Sequence, residues 1–271
     1  ELVAPDLGDA AFADSSTLVR WIGLGSGLLF AAAVAGALWS GWRDRKVARL
    51  RTDLAASFAH ELRTPLAGQR LLVESLLDGL HQAPGKQREY LERTLSSNRR
   101  LGALAEQFLT FSRLDRGVLR IERAETNIRE LVEEILEARE KPFDECEVEV
   151  PKDLTASIDR DALGSILGNL VENAWKYSPD EKWIAIRARL DRKGLSLEVE
   201  DRGIGFEPGQ QRRAFRQFWR AETGLDRSVD GLGLGLTIVA RLAEAHGGRV
   251  KLESESGRGS TFRVILPETE S

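Results

Sequence analysis

The pattern of apolar and polar positions divides the chain into three parts with different periodicities. Residues 21–42 contain no charged residue and read WIGLGSGLLFAAAVAGALWSGW. As an α-helix this run would be about 33 Å long, which matches a hydrocarbon core about 30 Å thick. A buried helix of a soluble protein is rarely apolar on every side over such a length. The pattern therefore predicts one transmembrane helix over residues 18–42.

The second part has the spacing of amphipathic helices. Apolar residues recur at helical intervals in two stretches, at Val47, Leu50, Leu54, Phe58, Leu62 and Leu66 and then at Leu91, Leu95, Leu101, Leu104, Phe108 and Phe111. The intervening HQAPGK (81–86) has the composition of a turn. Because two helices with one apolar stripe each bury those stripes well only when two hairpins pair, we expect an all-α hairpin over residues 43–117 that forms a dimeric four-helix bundle.

The third part mixes strand-like and helical segments. Strands are predicted over 119–122, 147–150, 183–190 and 195–200 and in a hairpin over 248–267, and helices over 128–139, 162–176 and 236–245. Strands gathered with helices, without strict β–α–β alternation, favour an α+β sandwich. We expect this domain over residues 118–267, followed by a tail at 268–271.

Charge and composition limit the possible functions. The 271 residues carry 39 Lys and Arg against 43 Asp and Glu, a formal net charge of −4, which argues against a generic nucleic-acid binder. The single cysteine, Cys146, excludes an intrachain disulfide and a cysteine-cluster zinc site.

The charges that flank the apolar run predict its orientation. Residues 1–17 are acidic, whereas RDRKVARLR (43–51) has five basic residues and one acid. A secretory signal peptide would carry its basic flank before a shorter apolar run. The positive-inside rule therefore places residues 1–17 as a short extracytoplasmic tail and the chain after residue 42 in the cytoplasm.

FAHELRTPLAG places a histidine, His60, in the first predicted helix. At about 100° per residue, His60 lies about 200° from both Phe58 and Leu62 and so faces away from the apolar stripe. The adjacent Glu61 can hold or accept a ring proton, which makes a neutral imidazole a competent nucleophile. Pro65 weakens the helix close to this histidine. An HExxH zinc site is excluded because its second histidine is missing.

Three clusters in the C-terminal half indicate phosphate binding. NLVENAWKYSP places Asn169 and Asn173 one helical turn apart, so that both amides can complete a Mg²⁺ shell of phosphate oxygens and water. DRGIGF puts Asp201 at the end of a predicted strand, with glycines that let the backbone approach a ligand closely. GLGLGL (231–236) opens a helix whose first amides can face phosphates. Each cluster is weak by itself, but their occurrence in this order is a strong signal.

With these motifs, residues 43–267 resemble the membrane-bound sensor histidine kinases of bacterial two-component systems. FAHELRTPL resembles the phosphoacceptor box, NLVENAWKYSP the N box, DRGIGF and GLGLGL the two glycine boxes, and FRQFWR the phenylalanine box. The resemblance implies a histidine-phosphotransfer hairpin joined to an ATP-binding domain of the gyrase, chaperone and histidine kinase superfamily. It also implies ATP and Mg²⁺ as cofactors, a homodimer through the hairpin, and a cytoplasmic response regulator as partner. The protein would be a single-pass protein of the bacterial cytoplasmic membrane, with its N-terminus outside.

The resemblance further implies a role for each site residue. His60 would be the phosphoacceptor, Glu61 its acid–base partner, and Thr64 the residue that positions water when the regulator is dephosphorylated. The other residues would surround Mg-ATP. Asn173 would bind Mg²⁺ with Asn169 beside it, Lys176 would meet phosphates, Tyr177 would pack on the nucleotide, and Asp201 would accept from the adenine amino group. The pocket and its lid would be shaped by Gly203, Gly205, Gly231, Gly233 and Gly235, and the lid would be anchored by Phe215 and Phe218.

Two other functions stay open beside autophosphorylation of His60. An ATP-hydrolysing member of the same superfamily would carry a glutamate in place of Asn169, because an amide cannot activate water as a base. A catalytically silent, membrane-anchored dimer that docks a regulator would not need the set formed by Asn173, Asp201 and the glycines.

Overall fold

The computed structural model describes residues 56, 58–78, 85–139, 141–179, 181–217, 219 and 232–268. The predicted tail 1–17, the transmembrane helix 18–42 and residues 269–271 of the final tail lie outside these residues, as do Phe218 and Gly231. Within the described ranges, no helix combines the length and the apolar character needed to cross a membrane.

Two helices form the first part of the structure. Helix α1 covers residues 58–77 and continues through Pro65, and α2 covers Lys86–Asp115. The ring of Phe58 stacks on that of Phe108, with centroids 4.3 Å apart, and the hydroxyl of Ser97 donates to the carbonyl of Pro65 over 3.2 Å. The two predicted stripes therefore meet at Phe58 and Phe108, and the helical hairpin agrees with the sequence pattern.

One hairpin nevertheless leaves much of its apolar surface uncovered. Large apolar side chains on both helices stay exposed, namely Leu66, Leu71, Val73, Leu77, Leu91, Leu95 and Leu109. A seam between two helices covers only the facing side of each, so the remaining apolar positions have no partner within the described part of this chain.

The rest of the chain builds a mixed α/β body. After α2 come β1 (Ala124–Asn127), α3 (Ile128–Glu137), β2 (Glu145–Glu149), β3 (Thr155–Ile158), α4 (Arg160–Tyr177), β4 (Trp183–Asp191), β5 (Gly194–Asp201), α5 (Gly235–Ala245), β6 (Arg249–Glu255) and β7 (Gly259–Leu266). Five strands form one sheet in the order β2-β4-β5-β7-β6, in which only the β2–β4 pair is parallel. Strands β1 and β3 form a separate antiparallel pair.

The five-stranded sheet has one apolar and one charged face. Alternate residues of β5, such as Leu197 and Val199, are buried beneath α4 and α5 with the apolar faces of those helices. On the opposite face, Arg187 bridges Glu149 and Glu200 across three neighbouring strands. The period-two alternation of β5 thus decides that Asp201, the last residue of the strand, lies on the buried face.

The predicted strand over residues 119–122 is wrong. The chain is irregular there, and the strand forms at Ala124–Asn127, where it pairs with β3. Strand β3 was not predicted from the pattern. Because the pairing partner of β1 was therefore unknown, the local strand signal at residues 119–122 was stronger than that at residues 124–127. The helices that follow these two strands start at side-chain caps, since Asn127 accepts from the amide of Glu130 and Asp159 from that of Ala162.

Arg123 ties three segments of the α/β body together. Its guanidinium donates to the carbonyl oxygens of Ser157 (3.1 Å), Pro267 (3.0 Å) and His246 (2.9 Å). These carbonyls belong to β3, to the residue after β7, and to the C-terminal cap of α5. One half-buried side chain therefore fixes the small sheet against the end of the large one.

We expect Arg123→Met to lower the free energy of unfolding by about 2–4 kcal/mol, because three carbonyls lose a charged donor while the apolar stem is kept. Urea unfolding followed by tryptophan fluorescence measures the change. The exposed Arg120→Met is the matched control and should change stability by less than about 0.5 kcal/mol. Equal stability of the two variants would contradict the bridging role.

Candidate active site

A pocket lies between α4, the end of β5, the segment that follows β5, and the start of α5. Eight of the predicted site residues line it, namely Asn169, Asn173, Lys176, Tyr177, Asp201, Gly205, Gly233 and Gly235. Gly203 and Phe215 lie in segments next to the pocket but do not line it. The structure therefore brings together most of the residues that the N box and the two glycine boxes contribute.

Helix α4 presents one polar face to this pocket. Asn169, Asn173 and Lys176 follow one another at intervals of four and three residues, which places them on the same side of the helix. The opposite side is fully buried, with Leu167 and Val171 among the core residues. Because the core side fixes the rotation of the helix, the three polar side chains face the pocket together.

The two asparagines differ in their surroundings. The amide nitrogen of Asn169 donates to the carbonyl of Ser165 (2.7 Å), and its oxygen accepts from the amide of Gln107 (3.3 Å). The side chain of Asn173 makes no hydrogen bond within the part of the chain that the structure describes. Asn173 is thus the amide that is available to a ligand in the pocket.

Gly235 allows α5 to start directly against Asn169. A Cβ atom at residue 235 would lie 2.9 Å from the amide oxygen of Asn169. The absence of a side chain lets the N-terminus of α5 open into the pocket, where its free amides favour an anionic group.

One acidic and two basic side chains meet near the C-terminal end of α4. The carboxylate of Glu172, which also lines the pocket, accepts from Arg139 (2.9 Å) and lies 3.3 Å from the ammonium of Lys176. Arg139 and Glu172 therefore hold the lysine at the pocket wall.

Asp201 is a buried carboxylate in the pocket wall, with 6% of its surface exposed. Burial raises the pKa of its carboxyl group from 3.8 to about 6, while the backbone amides of Gly203 and Ser260 oppose that rise. One carboxylate oxygen accepts from the amide of Gly203 over 2.8 Å. A buried acceptor of this kind is able to accept a hydrogen bond from an N–H group of a ligand.

Gly203 brings the segment after β5 against the end of α4. A Cβ atom at residue 203 would lie 2.5 Å from the carbonyl oxygen of Tyr177, and the amide of Ile204 donates to that same carbonyl over 2.9 Å. Gly205 has a φ of 63° and leaves no room for a side chain, because its Cβ would lie 2.1 Å from the carbonyl of Glu255. Both glycines are therefore required by contacts with other elements.

Several pocket residues were not predicted from the sequence. Ser260 and Phe262 lie on β7, Glu172 lies on α4, and the ring of Trp219 stacks on that of Phe206. Trp219 belongs to FRQFWR, and this motif was the available signal for it. Gln107 comes from α2 of the hairpin, and no local pattern relates it to the N box.

The predicted phosphoacceptor lies outside this pocket. His60 and Thr64 are exposed on α1, Glu61 is half-buried, and none of the three lines the pocket. The structure thus holds two separate arrangements, a pocket with a buried carboxylate and a helix with an accessible imidazole.

We expect Asp201→Asn to raise the free energy of unfolding at pH 7 by about 1–3 kcal/mol, because the pKa of the buried carboxyl is raised and its charged form destabilises the fold. The gain should be complete above about pH 6 and should vanish as the pH falls below about 3.8, where the carboxyl becomes protonated in the unfolded state as well. Urea unfolding at a series of pH values measures it. Asp153→Asn, at an exposed position, is the control, and an Asp201 variant no more stable than this control would contradict the cost of burial.

Comparison with family models gives two matches. The model of the His Kinase A (phospho-acceptor) domain matches residues 50–117, and that of the histidine kinase-, DNA gyrase B- and HSP90-like ATPase matches residues 158–270. The first match contains His60, and the second contains the predicted residues that line the pocket.

The chain is also similar to known proteins over most of its length. It is 33% identical over 221 residues to the sensor-like histidine kinase SenX3 of Mycobacterium tuberculosis, which covers 80% of this chain and 54% of SenX3. Full-length ShkA, solved in complex with AMPPNP, is 28% identical with a TM-score of 0.55, covering 81% of this chain and 46% of ShkA. The histidine kinase ThkA in complex with the response regulator protein TrrA shares the fold, at 23% identity and a TM-score of 0.57 over 80% of this chain and 61% of that one.

The chain spans about half the length of the curated relatives that it matches. Within that span, the phospho-acceptor and ATPase models match successive parts of it. Because both domains are present and the relatives are sensor histidine kinases, the chain belongs to the sensor histidine kinase family.

Proposed function

We propose that this chain is an ATP-dependent protein-histidine kinase that phosphorylates its own His60 and passes the phosphoryl group to an aspartate of a response regulator. The observation that carries the proposal is the pairing of a pocket built around Asp201 with an exposed histidine in a phospho-acceptor domain. A kinase needs both, one to bind the donor nucleotide and one to accept the group.

The pocket fits ATP at each end. Asp201 offers a buried acceptor to the adenine amino group, and Tyr177 lies beside it to pack on the base. The glycines at the start of α5 and the ammonium of Lys176 suit the phosphates. Bound Mg²⁺ would neutralise charge on the β- and γ-phosphates, with the Asn173 amide as its protein ligand and Asn169 beside it.

His60 supplies the nucleophile. A nitrogen of the neutral ring attacks the γ-phosphorus, so that an N–P bond forms as the P–O bond to ADP breaks. Glu61, the next residue on α1, holds the remaining ring proton and stabilises the charge that develops on the imidazole. Because His60 does not line the pocket, the ATPase domain of the same or of a partner chain has to approach α1 for the transfer.

The partners follow from the surfaces outside the pocket. The uncovered apolar side chains of α1 and α2, such as Leu77 and Leu95, support a homodimer in which two hairpins form a four-helix bundle. The fold shared with ThkA, which was solved bound to the response regulator TrrA, supports a regulator as the recipient. Thr64, one turn from His60 and exposed, is suited to position water for dephosphorylation of that regulator.

The sequence supports a membrane anchor for this enzyme. We assign residues 1–17 outside the bacterial cytoplasmic membrane, 18–42 to a single transmembrane helix, 43–117 to the phosphotransfer hairpin, 118–267 to the catalytic domain and 268–271 to a tail. The uncharged run 21–42 and the basic run 43–51 support this assignment.

The alternatives are less consistent with the pocket. An ATP hydrolase would need a base at residue 169, but that residue is an amide whose oxygen accepts from Gln107. A silent docking protein would have no use for a destabilising buried carboxylate at residue 201.

We expect His60→Gln to abolish phosphorylation without loss of ATP binding, because the imidazole is the acceptor and lies outside the pocket. Incubation with radiolabelled ATP and Mg²⁺ should give an acid-labile, alkali-stable label on the unsubstituted protein and none on the variant. His81→Gln is the matched control and should keep the label. A label that persists in His60→Gln would falsify the assignment.

We expect Asn173→Ala to reduce the labelling rate by at least about 100-fold, because the protein ligand of Mg²⁺ is lost from the site where charge is neutralised. The rate should be compared at several Mg²⁺ concentrations, and circular dichroism should show the helices intact. Asn98→Ala, at an exposed position of α2, is the control. An unchanged rate in Asn173→Ala would remove the Mg²⁺ role from that residue.

A further inference from the structure

A serine outside the pocket contacts three groups that shape the pocket wall. The hydroxyl of Ser254 on β6 accepts from the backbone amide of Phe206 (2.9 Å) and donates to the carbonyl of Gly259 (2.7 Å). It also lies 3.1 Å from the hydroxyl of Ser260, where either oxygen could be the donor by distance alone. Ser254 does not line the pocket, whereas Phe206 and Ser260 do.

The number of hydrogens on each hydroxyl group decides which serine is the donor. A hydroxyl carries one hydrogen and two lone pairs. The carbonyl of Gly259 can only accept, so Ser254 uses its single hydrogen there. The amide of Phe206 occupies one of its lone pairs, and the other is left for the hydrogen of Ser260. Ser260 is therefore the donor in the contact between the two serines.

This arrangement fixes the chemical character of the pocket floor, by which we mean the side chains of Asp201 and Ser260. The two residues are directly opposite each other on β5 and β7, and they are 6% and 5% exposed. The Asp201 carboxylate has only acceptor positions, and the hydroxyl hydrogen of Ser260 is directed to Ser254. Both side chains of the floor thus present hydrogen-bond acceptors to a ligand.

We propose that Ser254 is a positioning residue for base selection, since it keeps the hydroxyl of Ser260 an acceptor and so makes the pocket floor accept hydrogen bonds only. Adenine presents an amino group to such a floor, whereas guanine presents a carbonyl oxygen at the equivalent ring position. Two acceptors facing that oxygen leave it without a donor, and a buried unpaired polar group is costly. The inference rests on the proposed function, because it takes the ligand of the pocket to be a nucleoside triphosphate.

The test is the ratio of the dissociation constants of GTP and ATP, measured by calorimetry with Mg²⁺ on the full chain and on Ser254→Ala. The unsubstituted protein should bind ATP more tightly than GTP. In Ser254→Ala the hydrogen of Ser260 is free to turn towards the ligand, so the ratio should fall by about 10-fold, the equivalent of one hydrogen bond. Ser256→Ala, at an exposed position two residues along the chain, is the matched control and should leave the ratio unchanged.

The outcomes separate selection from simple support of the fold. If Ser254 only supports the loop at Phe206, both affinities will fall by the same factor and the ratio will hold, which overturns the inference. Should Ser254→Ala fail to fold, Ser254→Cys keeps the shape with a weaker acceptor for the hydrogen of Ser260, and an unchanged ratio in that variant has the same meaning. A chain that binds ATP and GTP equally overturns this inference alone, whereas one that binds neither overturns the proposed function as well.

Discussion

The burial of one carboxylate organises the functional part of this molecule. Asp201 ends β5 on the apolar face of the sheet, because the alternation of that strand leaves it no other side. A buried charge is destabilising unless it is hydrogen-bonded, and here the backbone amides of Gly203 and Ser260 are the compensation. Those two bonds fix the segment after β5 and the start of β7 around the carboxylate. The contacts that make the burial of this carboxylate possible therefore also form the wall of the pocket.

Close backbone contacts complete that wall, and they explain why small residues are needed there. Gly203 lets the segment touch the carbonyl of Tyr177 at the end of α4, and Gly205 lets it touch Glu255 on the β6–β7 hairpin. Gly235 does the same for α5 against Asn169. Each glycine therefore joins two elements that are distant in sequence, and the polar face of α4 is held opposite the N-terminus of α5.

The hairpin and the pocket carry separate parts of the chemistry. The imidazole of His60 is exposed, as the proposed transfer to and from that ring requires. Among the described residues that line the pocket, Gln107 is the one that belongs to the hairpin. Its hydrogen bond to Asn169 joins the two parts. Under the proposed function, transfer of a phosphoryl group to His60 requires a change in how the pocket meets α1, because His60 does not line the pocket.

The periodicities of the sequence predicted most elements, and its motifs supplied eight of the residues that line the pocket. Residues Asn169, Asn173 and Lys176 could be placed on one helical face because helix geometry relates near neighbours, and the glycines marked where backbones approach. Strand β3, the position of β1, and the pocket residues Gln107, Ser260 and Phe262 could not be predicted. Their positions depend on pairing and packing between segments far apart in sequence. By itself the sequence determined which residue types the chemistry uses, whereas only the tertiary structure decided which of them meet, because burial and hydrogen-bond partners are properties of the packed chain.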